Sequence, residues 1–212
     1  MKLFLDYENG RLTTSEGKVL TPSDRSWHSI EPGESSDREV TPTEAVGWLQ
    51  RTSGFPCRVP VAVIGGREAG PAQLAAAEDM GKHLARMGLT LLCGGRQGIM
   101  EAACRGAASA DGLSIGLLPD DDPAMANPHV SVPIATGIGI ARNALVACAA
   151  LCLVAVGGGY GTISEMAFAL QFGKKVFVLA NGPHIEGVQR CTDAARAADE
   201  VARVVLGLPQ SL

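Results

Sequence analysis

The chain has 212 residues, enough for one full domain with a substantial core or for a domain plus a small appendage. Alanine, valine, leucine and glycine dominate and only 4% is aromatic, a composition suited to closely packed helices on a parallel sheet. The net charge of −4, without any basic run, argues against nucleic-acid and membrane surfaces as partners.

Residues 1–10 hold Asp6 and Glu8 and do not form a signal peptide, and no apolar run is long enough to span a bilayer. A soluble, cytoplasmic protein is expected. Its six cysteines (Cys57, Cys93, Cys104, Cys148, Cys152, Cys191) form no CxxC pair and no cluster with His28, His83, His129 or His184. They are expected as buried, reduced thiols, with no metal site.

Residues 1–58 differ in texture from the rest and are expected as an N-terminal extension to a domain at 59–212. Leu3-Phe4-Leu5 and Arg11-Leu12-Thr13-Thr14 flank the turn signal Asn9-Gly10, and Lys18-Val19-Leu20 adds a third short strand. Residues 22–40, rich in Ser, Pro, Glu and Asp, read as a loop or flexible linker. Thr41-Pro42-Thr43-Glu44 then opens a helix with a capping box, carrying Val46 and Leu49 on one side and ending near Gly54. So little apolar surface does not fold alone, so the extension is expected to lie against the main domain or a neighbouring subunit.

From Val59 strands and helices alternate. Strands are expected at 59–64, 89–93, 113–118, 130–134, 151–156 and 175–179. Helices are expected after Pro71 and over 99–110, 139–150, 162–173 and 192–205. The last of these turns Ala195, Ala198, Val201, Val204 and Val205 inward. This alternation predicts an α/β fold: a Rossmann-like, doubly wound parallel sheet with ligands bound beyond the carboxyl ends of its strands, plus the small hairpin-and-helix extension. Three strand ends carry glycine clusters, Gly65-Gly66, Gly94-Gly95 and Gly157-Gly158-Gly159, more than packing alone readily explains. No G-x-G-x-x-G follows the first of these strands, which argues against a redox dinucleotide enzyme.

The stretch 151–172 concentrates the signal. An apolar strand breaks into Gly157-Gly158-Gly159-Tyr160-Gly161-Thr162, and an amphipathic helix follows. Such a turn serves either as a tight packing connection or as an anion site on unpaired helix N–H groups. The Thr162 hydroxyl at the helix mouth favours the second. So does Glu165, whose side chain leans back toward that mouth.

Gly94-Gly95-Arg96-Gln97-Gly98-Ile99-Met100-Glu101 resembles the GGG-x-x-GLM segment of the Lonely guy (LOG) proteins, long mislabelled lysine decarboxylases. Residues 157–165 resemble their PGG-x-GT-x-x-E segment, and the likeness covers about residues 59–206. It implies a Rossmann-like fold and association as a homodimer or homotetramer. It also implies release of the base from a nucleoside 5′-monophosphate, with Arg142 and Glu165 as the catalytic pair. In that reading Gly65, Gly66, Gly94, Gly95, Gly158, Gly159, Tyr160, Gly161 and Thr162 hold the phosphorylated ligand, and no cofactor is required. Glu165 would stabilise an oxocarbenium-like sugar or orient the attacking water, and Arg142 would hold phosphate or ribose. Taken alone, Arg142 fits a surface or interface salt bridge better than a site residue, since such pairs are common.

Three positions depart from the enzymes' pattern. Asn143 stands where lysine follows the arginine, Gly157 where proline precedes the glycines, and Phe168 where a second glutamate is found. These changes are closer to a branch that includes molybdenum cofactor carrier proteins. The first expectation is therefore a phosphoribohydrolase, with a non-catalytic carrier of molybdenum cofactor or another phosphorylated ligand as its alternative. Nothing resembles a pyridoxal-phosphate lysine, and Lys174-Lys175 reads as a solvated turn.

Overall fold

The computed structural model describes residues 1–30 and 38–210. Its centre is a seven-stranded, all-parallel sheet of β6 (Val61–Gly65), β7 (Leu91–Cys93), β8 (Ser114–Leu118), β9 (Val132–Ala135), β10 (Leu153–Val156), β11 (Val176–Leu179) and β12 (Gln189–Arg190). The spatial order is β12-β11-β10-β6-β7-β8-β9. The chain runs outward from β6 to β9, then returns to start again beside β6 with β10. The order therefore reverses between β6 and β10, where a parallel sheet opens a crevice at its carboxyl edge.

Strand alternation divides the core in two. Val61, Val63, Leu91, Cys93, Val154, Val156, Phe177 and Leu179 belong to one apolar cluster, with α2 (Pro71–Met87), α3 (Ile99–Ala108) and α6 (Ala194–Val205). Ala62, Ile64, Leu92, Leu153, Ala155, Val176 and Val178 belong to the other, with α4 (Arg142–Ala149) and α5 (Tyr160–Gln171). Small residues let the layers close up. A Cβ on Gly81 of α2 would sit 2.0 Å from the Ala103 carbonyl of α3, and one on Gly106 would sit 1.9 Å from that of Glu78. Within α6 the inward face includes Ala194 and Ala197, and Ala195 is exposed, contrary to the expectation from spacing. The helix starts only after the Asp193 cap, which sets its phase.

The extension forms an antiparallel sheet in the order β4-β3-β2-β1-β5: β1 (Leu3–Asp6), β2 (Arg11–Thr14), β3 (Lys18–Thr21), β4 (Ser26–Ser29) and β5 (Arg38–Val40). At the β1–β2 turn Asp6 Oδ1 accepts the N–H groups of Glu8 and Asn9. The loop expected over 22–40 therefore contains two strands, although 31–37 lie outside the described residues. Both are edge strands with mostly exposed side chains, so they lack the apolar alternation that marks a half-buried strand. Helix α1 (Pro42–Arg51) has the predicted capping box: Thr41 Oγ1 accepts the Glu44 N–H, and Glu44 accepts that of Thr41 at 2.8 Å.

Leu3, Leu5, Leu12, Leu20, Val40, Val46 and Leu49 join the same core as Val201, Val205 and Leu208 of the main domain. Trp27 Nε1 fastens the sheet to the end of α6 by donating to the Leu206 carbonyl at 2.8 Å. The extension thus packs on its own main domain. No helix among the described residues is long and apolar enough to cross a membrane.

Candidate functional site

The crevice at the β6–β10 reversal is a cleft of about 200 Å³. The end of β6 contributes Ile64, Gly65, Gly66 and Arg67, and the end of β7 contributes Gly94. Gly159, Gly161, Thr162 and Glu165 line it from the α5 side, Arg142 and Asn143 from α4, with Met100 and Ile140 as apolar wall. A larger groove of about 430 Å³ runs between α1 and α2, past Trp48, Arg51 and His83. It is remote from the strand ends, and in it Arg51 Nη2 is already hydrogen-bonded to the Arg86 carbonyl.

Helix α5 begins at Tyr160, two residues earlier than expected, with Gly159 as a cap that has no side chain to satisfy its first N–H groups. Those donors and the positive end of the helix dipole face the cleft. Thr162 is buried beneath the turn, and Gly158 allows this: its φ is +103°, and a Cβ there would stand 2.1 Å from Thr162 Oγ1.

Arg142 and Glu165, 23 residues apart, meet on the cleft floor. Arg142 Nη1 donates to Glu165 Oε1 at 3.1 Å and to Asn143 Oδ1 at 2.5 Å, and Nη2 reaches the Gly94 carbonyl at 3.5 Å. Exposure is only 8% for Arg142 and 5% for Glu165. Burial pushes the Glu165 carboxyl up to about 7, with the charge and hydrogen bond of Arg142 pulling it part of the way back. Near neutrality Glu165 therefore holds or releases a proton with small changes of surroundings. Arg142 Nε is buried and has no protein partner, an unmet donor of the kind that a ligand or water satisfies.

Asn143, noted in the sequence only as a departure, ties the two helices together. Its Nδ2 donates to Ser164 Oγ at 3.0 Å and to the Gly161 carbonyl at 3.4 Å, so one side chain orients both the guanidinium and the mouth of α5. Arg67 was missed altogether. The signal for it is its place directly after Gly65-Gly66 at a strand end.

Not every predicted glycine lines the cleft. Gly95 is directed at β8, where a Cβ would lie 2.7 Å from Leu118 Cδ2. Gly158 acts beneath the turn through Thr162, and Tyr160, 93% exposed, lies outside the lining of the cleft. Gly65 and Gly94 line it but also answer packing: their Cβ atoms would meet Ile99 Cγ2 at 2.5 Å and Arg142 Nη2 at 2.2 Å. Close packing thus explains more of the glycine content than the sequence suggested.

Below the Gly94-Gly95 turn lie Cys93 and Cys104, both buried, with sulfurs 3.5 Å apart. Of the six cysteines, Cys148 is exposed on the outside of α4. Lys174, expected in a solvated turn, instead donates through Nζ to the Cys148 and Ala150 carbonyls and closes the end of α4.

A parallel sheet with an uncapped helix mouth and a buried arginine–glutamate pair at its reversal point defines a Rossmann-like protein of the LOG type. The chain belongs to the SLOG cluster4 family, which it matches over residues 58–205. An uncharacterized protein of Archaeoglobus fulgidus is 40% identical over 129 residues, covering 61% of this chain and 85% of that one. The molybdenum cofactor binding protein of Rippkaea orientalis superposes with a TM-score of 0.66 at 31% identity, over 70% of this chain and 98% of that one. The Moco carrier protein of Chlamydomonas reinhardtii gives 0.65 at 36%, over 71% and 100%.

Proposed function

We propose that this protein binds a small phosphorylated ligand at the β6–β10 cleft and acts as a carrier, with molybdenum cofactor as the cargo that its neighbours' names suggest. The phosphate would rest on the Gly159–Thr162 amides, an anion site at a helix N-terminus. The observation that carries this reading is the state of the one carboxylate that lines the cleft among the described residues: Glu165 is already paired with Arg142. Hydrolysis of a glycosidic bond ordinarily uses one group to activate water and a second to protonate the leaving group. Phe168, at the position of the enzymes' second glutamate, lies on the outer side of α5 stacked on Phe172. No second acid reaches the cleft among the described residues.

Hydrolysis of a nucleoside 5′-monophosphate is the second reading. The Glu165 carboxyl at about 7 favours it, since a general acid or base works best when poised near ambient pH. The two readings separate when purified protein is incubated with a panel of nucleoside monophosphates and, separately, with a phosphorylated pterin. Tight pterin binding without release of free base supports the carrier. Release of base and ribose 5-phosphate that Glu165→Gln abolishes supports the enzyme.

We also read the protein as a cytoplasmic homo-oligomer. The charged residues of α4 and α5 are Arg142 and Glu165, both turned inward, so the outer face of these helices is uncharged. It exposes Leu145, Phe168 and Phe172, and Val132 and Ile134 of the edge strand β9 are exposed as well. A helix apolar on both sides is normally buried on both. The outer faces of α2 and α6 are instead charged, through Asp79, Lys82, Arg86, Arg196 and Asp199, so a second copy of the α4–α5 face is the matching cover.

A further inference from the structure

We infer that Arg67, and not Arg142, is the cation that neutralises the phosphate of the bound ligand. The inference rests on the reading of the cleft as a phosphate site. Arg142 is held through Nη1 and Nη2 by Glu165, Asn143 and Gly94, and only its Nε is left without a partner. A phosphate at the α5 mouth would have to draw the guanidinium away from those partners to take both of its terminal nitrogens. Arg67 lines the same cleft, is exposed, and makes no ion pair among the described residues.

The turn that carries Arg67 is built into place beside the α5 mouth. Gly66 faces the β10 turn, where its Cβ would lie 3.7 Å from Gly158 Cα. The Gly66 carbonyl accepts the Ile99 N–H at 3.1 Å, locking the turn onto the start of α3. Gly98 has a φ of +74° and no room for a side chain: a Cβ would stand 2.2 Å from the Arg67 carbonyl oxygen and 2.5 Å from that of Gly66. The glycine turns after β6 and β7 are thus interlocked, and Gly98 acts as a positioning residue for Arg67. A guanidinium offers paired donors that match phosphate oxygens, so Arg67 and the α5 amides would close on a phosphate monoester from opposite sides.

Titration calorimetry with ribose 5-phosphate, 5′-AMP and adenosine tests this. The wild type should bind both phosphate esters and bind adenosine far more weakly. Arg67→Gln should weaken the esters by about tenfold to a hundredfold, as expected on losing a charge-assisted hydrogen bond, and should shrink the advantage of 5′-AMP over adenosine. Arg67→Lys should restore part of that advantage. Ester affinity unchanged in Arg67→Gln but lost in Arg142→Gln would overturn the inference and leave the phosphate site standing. Failure of the wild type to bind either ester or a phosphorylated pterin would overturn both. Because Arg67 is exposed, an unchanged unfolding midpoint in Arg67→Gln separates lost binding from lost fold.

Discussion

Gly94 has no side chain where the Arg142 guanidinium lies. A Cβ on it would be 2.2 Å from Nη2, 2.7 Å from Cζ and 2.9 Å from Met100 Sδ. The end of β7 therefore forms the bed of the arginine. Gly94→Ala should displace Arg142 from Glu165 and lower stability by about 1–3 kcal/mol, the usual cost of overpacking a filled site. Urea unfolding measures the loss. An alanine variant as stable as the wild type would show that the arginine is not held by this contact.

The Glu165 carboxyl makes stability depend on pH. Its folded value of about 7 lies above the ordinary 4.5, so between those values the folded state holds a proton that the unfolded chain has released. The contribution is fully present below about pH 4.5, falls as pH rises, and is gone above about 7. Glu165→Gln should flatten this slope in unfolding midpoints recorded from pH 5 to 8. Identical slopes in the two proteins would mean that Glu165 titrates as an ordinary surface acid.

Asn143 holds Arg142 on one side and the start of α5, through Ser164 and the Gly161 carbonyl, on the other. Asn143→Ala should lower stability by about 1–3 kcal/mol, in the range for hydrogen bonds to a charged group. Asn143→Lys should cost at least as much, because it sets a second cation beside Arg142. Thermal unfolding compares the two; a lysine variant more stable than the alanine one would count against the bridge.

On the outer α4–α5 face, Leu145→Glu combined with Phe168→Glu should shift the protein toward monomer in sedimentation velocity runs. Both side chains are already exposed in the single chain, so the fold should persist by circular dichroism. A wild type that sediments as a monomer at all accessible concentrations would dispose of the oligomer.

Much of the architecture was legible in the residues because local burial leaves a local trace. Apolar runs marked the central strands, the Thr41–Glu44 box marked the start of α1, and the glycine-to-threonine run marked the mouth of α5. Strands β4, β5 and β12 left no such trace, since they are short and polar at sheet edges. The role of Asn143 left none either, because an amide side chain on a helix looks the same in sequence whether it faces a cleft or bulk solvent, and Arg67 left only its place after Gly65-Gly66.

The order of the strands was decided only in three dimensions. Periodicity records which side of an element is covered but not by what, and β10 takes its place beside β6, not β9, through packing of the whole sheet. That placement brings residues 65–67 against 157–159 and makes one cleft of two distant glycine turns. It also turns Arg142 and Glu165 toward each other across α4 and α5. Which residues could carry charge was written in the chain; which charge is balanced and which remains free was settled by the fold.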